Sequence, residues 1–138
     1  MIRFSRRPGY IFLITILVVG AVASATAASL LLLGWAAEQN GLLLMQSAQS
    51  YEYAQTCVER ALRDVREDNA YSGSETVTFD LGECEIFALG GSDASDRTIC
   101  AEGRSGDSVR RIQVAISTLY PVPSITSWQE VAAFTLCL

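Results

Sequence analysis

Four cysteines are the residues of this 138-residue chain whose chemistry is easiest to specify: Cys57, Cys84, Cys100 and Cys137. An even number of cysteines in an exported segment predicts disulfides, and four allow three pairings. A Cys57–Cys84 bridge would pin a helix to a sheet and is the favoured pairing; Cys100–Cys137 would then tie the C-terminal tail to the sheet. Free buried thiols are the alternative. C-x-x-C spacing is absent, so redox catalysis and zinc binding are not expected.

Acidic residues are the other candidates for chemistry. In loop 90–96, Asp93 and Asp96 could supply oxygen ligands for Ca²⁺. The EF-hand spacing is absent, however, and a solvated acidic loop is the favoured interpretation. Three more acids surround a turn, but a catalytic pair needs a pocket that a small domain hardly offers: Asp80, Glu83 and Glu85. With no histidine in the chain, we expect no enzymatic activity, metal or cofactor.

The elements that position these residues begin with an apolar segment, residues 10–33, which contains no charged residue. About 20 apolar residues cross a hydrocarbon core of roughly 30 Å. Arg3, Arg6 and Arg7 precede the segment, and the first acid after it is Glu38. By the positive-inside rule the N-terminus is cytoplasmic and everything after Leu33 lies outside.

A cleaved secretory signal is a competing interpretation of this segment. Residues 23–25 and 25–27 both match the A-x-A pattern of a signal-peptidase site. The four leucines at 30–33 extend the apolar run beyond either site, which favours an anchor. A permanent single-span membrane anchor is another interpretation of the segment.

Charge is divided unevenly along the chain. Residues 1–34 carry three arginines and no acids (+3), while residues 35–138 carry seven arginines and fifteen acids (−8), which sum to the net −5. An acidic exported part does not favour nucleic-acid binding, which requires a basic patch.

An amphipathic helix is predicted to continue over residues 34–72. Leu44, Tyr51, Val58 and Val65 recur at seven-residue spacing, which is typical of one helix face. Glycines at 34 and 41 are positions where this helix could bend or break.

The remaining residues, 73–138, predict a small antiparallel sheet. Strand-like segments occur at 76–81, 84–89, 97–102 and 108–119, with Gly82 as the first turn. The short connections favour a four-strand meander packed on the helix. Ser127 and Glu130 match a capping box, which predicts a short helix or turn at about 128–133. The predicted fold is therefore α+β, with leader 1–9, transmembrane helix 10–33, extension 34–72 and head 73–138.

This order of elements resembles the type IV pilins and pseudopilins: basic residues, Gly9, an apolar helix, an amphipathic extension and a small sheet. The resemblance implies that prepilin peptidase cleaves between Gly9 and Tyr10 and that Tyr10 is then methylated. It implies that the membrane and other pilin-like subunits are partners, with contacts through the N-terminal helix. The family usually has glutamate at the fifth mature position, where this chain has Ile14.

The departure at Ile14 makes the chain look like a minor pilin or pseudopilin. Small residues at 20–29 would let neighbouring helices approach closely. We expect a non-enzymatic structural subunit of a type IV pilus or a type II secretion-like filament, anchored in the membrane before assembly. The alternative is a membrane-anchored or secreted binding domain that does not assemble.

Overall fold

The computed structural model describes residues 8–91 and 94–137. It contains one long helix and a five-strand sheet: α1 (Pro8–Glu67), β1 (Glu75–Phe79), β2 (Gly82–Ile86), β3 (Ser95–Ser105), β4 (Ser108–Thr118) and β5 (Ser124–Glu130). Contacts divide the chain into two compact units, of which the first ends at Gly41 and the second begins at Leu42. The second unit is called the head below.

Helix α1 runs 60 residues without interruption. Residues 9–67 include no proline, and both Gly34 and Gly41 are helical with open space where a side chain would lie. The helix ends at Glu67, where the Asp68 carboxylate accepts a hydrogen bond from the Ala70 amide (2.8 Å). Gly73, in the connection from α1 to β1, adopts the left-handed region that favours glycine (φ 73°).

The sheet is an antiparallel meander in chain order, β1-β2-β3-β4-β5. Gly82 was expected to be the first turn but instead opens β2, opposite Phe79. A Cβ at Gly82 would overlap the carbonyl oxygen of Arg104. The glycine therefore permits close approach to β3, and the turn itself consists of Asp80 and Leu81.

A fifth strand replaces the predicted C-terminal helix, so that expectation from the capping box is wrong. Ser127 pairs with Ala115, and Trp128 pairs with Val114. A short isolated helix gains few hydrogen bonds for the cost of nucleation. The same residues gain an antiparallel ladder along β4, although its register shifts on either side of Ile116. The β-forming residue types in β5 are suited to this pairing.

The head has one apolar core between the C-terminal part of α1 and one face of the sheet. On α1 the buried apolar side chains are Ala54, Cys57, Val58, Ala61 and Val65. They pack with seven strand residues and one residue of the β4–β5 connection: Cys84, Ile86, Ile99, Ala101, Ile112, Val114, Ile116 and Leu119. This confirms the α+β packing. The predicted heptad stripe is correct at Val58 and Val65 but wrong at its start, because Leu44 is 72% exposed.

Helix and sheet approach each other closely at Gly103. A Cβ there would overlap the carbonyl oxygen of Ser50 and lie 2.5 Å from the amide nitrogen of Ala54. Ser50 is itself fully buried. Two backbones therefore meet where an ordinary side chain would separate them.

Both predicted disulfides are present in the favoured pairing. Cys57 bonds Cys84 and joins α1 to β2, whereas Cys100 bonds Cys137 and ties the tail to β3; each pair has Cα atoms 6.2 Å apart. The second bridge lies on the face of the sheet away from α1, since Cys100 alternates with the core residues Ile99 and Ala101 along β3.

Candidate functional site

The apolar segment 10–33 presents its side chains to its surroundings along its whole length. Every one of its residues is exposed; among the largest, Tyr10 is 69% exposed and Leu31 is 75% exposed. Soluble proteins rarely leave so long an apolar stretch uncovered. The segment therefore requires lipid or protein around it.

Hydroxyl groups within this segment are satisfied by the helix itself. Thr15 donates to the carbonyl of Ile11 (2.7 Å) and Ser29 to that of Ala25 (2.9 Å). Ser24 and Thr26 donate in the same way to carbonyls three residues back. Because these groups need no water, the small polar residues add little to the cost of burial in lipid.

Helix α1 has the length and composition to cross a membrane, with a mean hydropathy of 2.4 in its most apolar stretch, near the N-terminus. Gly9 lies in its first turn, with open space around the position of a Cβ. Ile14 is 40% exposed. Arg3, Arg6 and Arg7 lie outside the described residues.

Ion pairs within β3 and between neighbouring strands occupy the face of the sheet away from α1. Glu102, with 5% of its side chain exposed, accepts hydrogen bonds from Arg104 (2.6 Å) and Arg111 (2.5 Å). Arg104 also lies 3.8 Å from Glu83 and 3.9 Å from Glu85. The hydrogen bond and charge of Glu102 raise the pKa of Arg104 above its usual range.

These ion pairs explain the acidic residues around the first turn. Glu83 and Glu85 neutralise Arg104 and stand about half exposed on the surface, so they do not form an enclosed carboxylate pair. Asp80, the third acid, lies in the turn itself.

The C-terminal tail covers part of the same face. The Gln113 side-chain oxygen accepts hydrogen bonds from the amides of Thr135 (2.9 Å) and Leu136 (3.2 Å). Phe134 packs edge-on against Phe87, with ring centroids 4.9 Å apart. The Cys100–Cys137 bridge completes this attachment, which the sequence pattern did not predict beyond the bridge.

Arg97 is a buried cation. The sequence predicted that it begins a strand but did not predict its burial or its contacts. Its side chain, in a residue 4% exposed, donates to the carbonyls of Gly91 (2.5 Å) and Asn69 (2.6 Å). It thereby holds the connection after α1 and the loop before β3 together. No local pattern marks such a residue, because its acceptors are backbone groups from distant segments.

The calcium candidate falls partly outside the described residues, which exclude Asp93. Asp96 is described and adopts a left-handed conformation (φ 54°). Within ranges 8–91 and 94–137, no three acidic, histidine or cysteine side chains are grouped to hold a metal ion.

Tyr71 belongs to a charged cluster at the first edge of the sheet. Its hydroxyl donates to Glu75 (2.7 Å), and Glu75 lies 3.4 Å from Arg60. Burial, and then the hydrogen bond and negative charge of Glu75, raise the pKa of Tyr71 far above its usual 10.0.

The raised pKa makes the head sensitive to alkali. The folded state keeps the Tyr71 proton while the unfolded state loses it, so this stabilisation is complete below about pH 10 and is lost as the pH rises further. We expect Tyr71→Phe to be less stable at pH 7 by about 1 kcal/mol, for want of the hydrogen bond. We also expect its melting temperature to fall less than that of the wild type between about pH 9 and pH 11. Tyr10→Phe, outside the head, is the control and should match the wild type.

A groove lies between the last turns of α1 and β5, with a volume of about 620 Å³. Its lining consists of five α1 residues and two residues that follow β4: Glu59, Leu62, Arg63, Arg66, Glu67, Tyr120 and Trp128. Leu62 and Trp128 are half-buried. The Tyr120 hydroxyl donates to the carbonyl of Arg66.

Together these features define a class of protein: a small disulfide-bonded α+β head whose helix begins as an exposed, membrane-compatible apolar segment. No family model matches the chain, and neither a curated protein nor a solved structure shows significant similarity to it.

Proposed function

We propose that this chain is a non-enzymatic, membrane-inserted filament subunit of the minor pilin or pseudopilin type. The observation that carries the proposal is the uncovered apolar segment 10–33 within a helix whose later residues form the core of a sheet-bearing head. Such a helix can be surrounded by lipid before assembly and by the helices of other subunits afterwards.

Three further features support assembly over a plain anchor. The segment contains no charged side chain, and its hydroxyls bond internally. The small residues at 20–29 allow close helix packing. Gly9 is followed immediately by the apolar run, which is the arrangement a prepilin peptidase recognises in the family that this chain resembles.

Ile14 fits a minor position in a filament. A glutamate in lipid is costly unless it is paired, and Ile14 carries neither that cost nor the pairing with a neighbour's amine. Entry into a filament would then rest on apolar contacts. The N-terminus would remain cytoplasmic and the head extracytoplasmic, as the arginines before the segment indicate.

The N-terminal residue of the mature protein, determined by mass spectrometry from its native host, tests this proposal. We expect a start at methylated Tyr10, and we expect Gly9→Leu to abolish cleavage. Gly41→Leu is the matched control, since both glycines have open space around them, and it should be processed normally.

Other starting residues would contradict the proposal in distinguishable ways. A start near Thr26 or Ala28 would identify a secreted domain, and an intact Met1 would identify a simple membrane anchor. Both belong to the competing class, a binding domain that does not assemble.

A further inference from the structure

The two disulfides of the head differ in how a thiol in solution can reach them. Cys57 and Cys84 lie inside the apolar core, and both are buried. Cys100 is also buried, whereas its partner Cys137 is partly exposed near the C-terminus. The rate of thiol–disulfide exchange depends on access to one of the two sulfur atoms. An attacking thiol can therefore reach the Cys100–Cys137 bridge through Cys137 without opening the core.

The C-terminal tail, residues 132–137, forms neither helix nor strand. It begins just after the amide of Val131, which donates to the carbonyl of Arg111 on β4 (3.0 Å). The Arg111 guanidinium in turn donates to the carbonyl of Ala132 (2.9 Å). Side chains of the sheet, rather than a backbone ladder, therefore hold the tail in place.

One glutamine supplies most of the polar attachment of the tail. The Gln113 side-chain oxygen accepts hydrogen bonds from the amides of Thr135 and Leu136 and from the Thr135 hydroxyl (3.2 Å). Phe134 adds an edge-on contact with Phe87. Ordering a residue costs about as much free energy as one hydrogen bond returns, and these hydrogen bonds share a single acceptor atom. Without the covalent bridge, such contacts do not offset the entropy of ordering the tail.

We propose that the tail is a redox-sensitive strap: a dithiol reductant opens the Cys100–Cys137 bridge and releases residues 132–137 from the sheet. The buried Cys57–Cys84 bridge stays oxidised and keeps the head folded. Release uncovers the Phe87 ring and the Gln113 side chain, and reoxidation covers them again. The strap acts within one head and does not depend on processing at Gly9, so it goes beyond the proposed function.

The chemical step is a thiol–disulfide exchange in two stages. A thiolate of the dithiol attacks the Sγ atom of Cys137, the bridge breaks, and the Cys100 sulfur leaves as a thiolate that takes up a proton. The second thiol of the reductant then attacks the mixed disulfide at the reductant's own sulfur and releases the Cys137 thiol. The bridge thereby gains two electrons and two protons, and the dithiol is oxidised to a disulfide.

Graded reduction of the full-length protein in detergent micelles tests the proposal. The oxidised protein is incubated with dithiothreitol, free thiols are trapped with iodoacetamide at intervals, and the tryptic peptides are analysed by mass spectrometry. Cys84, Cys100 and Cys137 fall in separate peptides, 67–97, 98–104 and 112–138. We expect Cys100 and Cys137 to be alkylated about tenfold faster than Cys84, because only their bridge is accessible in the folded head.

Chymotrypsin cleavage after Phe134 shows whether the tail leaves the sheet. The products are separated after complete reduction, so that a fragment still held by the bridge is also counted. In protein reduced only at Cys100 and Cys137, we expect this cleavage to be about tenfold faster than in oxidised protein. Reoxidation with oxidised glutathione should restore the original rate.

Gln113→Ala and Gln49→Ala form a matched pair of variants. Gln113→Ala removes the acceptor that holds the tail beside Cys137, so we expect its Cys100–Cys137 bridge to be reduced about fivefold faster than that of the wild type. The Gln49 side-chain oxygen accepts a hydrogen bond from Ser105 (2.9 Å), away from the tail. Gln49→Ala should therefore leave the rate of reduction unchanged.

Alkylation of Cys84 as fast as that of Cys100 and Cys137 would overturn the proposal, because the head would then open as a whole. A tail that resists chymotrypsin as well after selective reduction as before, or equal reduction rates for the two glutamine variants, would also overturn it. Neither result bears on the mature N-terminal residue, so failure of the strap and failure of the proposed function are distinguishable.

Discussion

Gly103→Ala is expected to destabilise the head by about 3 kcal/mol or more, since the new methyl group would overlap helix backbone that cannot move without opening the core. For a head of this size, that corresponds to a fall in melting temperature of about 15 °C. The measurement is thermal unfolding of the full-length protein in detergent, followed by near-ultraviolet circular dichroism.

Gly41→Ala is the matched control for Gly103→Ala. Gly41 is helical and has open space around the position of a Cβ, so alanine there should leave the head unchanged or stabilise the helix by up to about 1 kcal/mol. Equal melting temperatures for the two variants would show that α1 and β3 do not approach each other at Gly103.

Changing both Cys57 and Cys84 to alanine removes their bridge and is expected to lower the free energy of unfolding by about 3.5 kcal/mol. The bridge closes a loop with a sequence separation of 27 residues, and cross-linking a loop of this length restricts the unfolded chain by about that amount. Both cysteines are also buried in the core (1% and 0% exposed), so the variant loses packing as well. Urea unfolding of the full-length protein measures the loss.

The Cys100Ala/Cys137Ala variant is the comparison, because it removes a bridge of similar loop length, with a separation of 37 residues. In this variant the loss of stability should be confined mainly to the C-terminal tail, since Cys137 is only partly buried. Limited proteolysis should release residues after about 131 while the rest of the head persists. A Cys57Ala/Cys84Ala variant as stable as the wild type would contradict the helix-to-sheet bridge.

Features fixed by local pattern could be predicted from the sequence. The uncharged run at 10–33 predicts an apolar helix, because the composition of such a segment is enough to make it compatible with a lipid bilayer. Alternation in β1 through β4, with short turns between them, identifies a meander because each hairpin is local. Even the disulfide pairing could be favoured, since Cys57 lies on the helix and Cys84 on a strand that must pack on it.

Features that depend on distant partners could not be predicted. Residues 127–130 match a helix cap locally, and only the open edge of β4 makes them a strand. Leu44 continues the heptad stripe and yet is exposed.

The sequence by itself therefore determined a membrane-compatible helix, an α+β head and a stabilising pair of disulfides. Only the tertiary structure decided that residues 124–130 form a fifth strand, where Arg97 finds its acceptors and which residues of the long helix are buried. Local propensities differ by only about 1 kcal/mol per residue. Backbone pairing, burial and charge contacts between distant segments outweigh such differences.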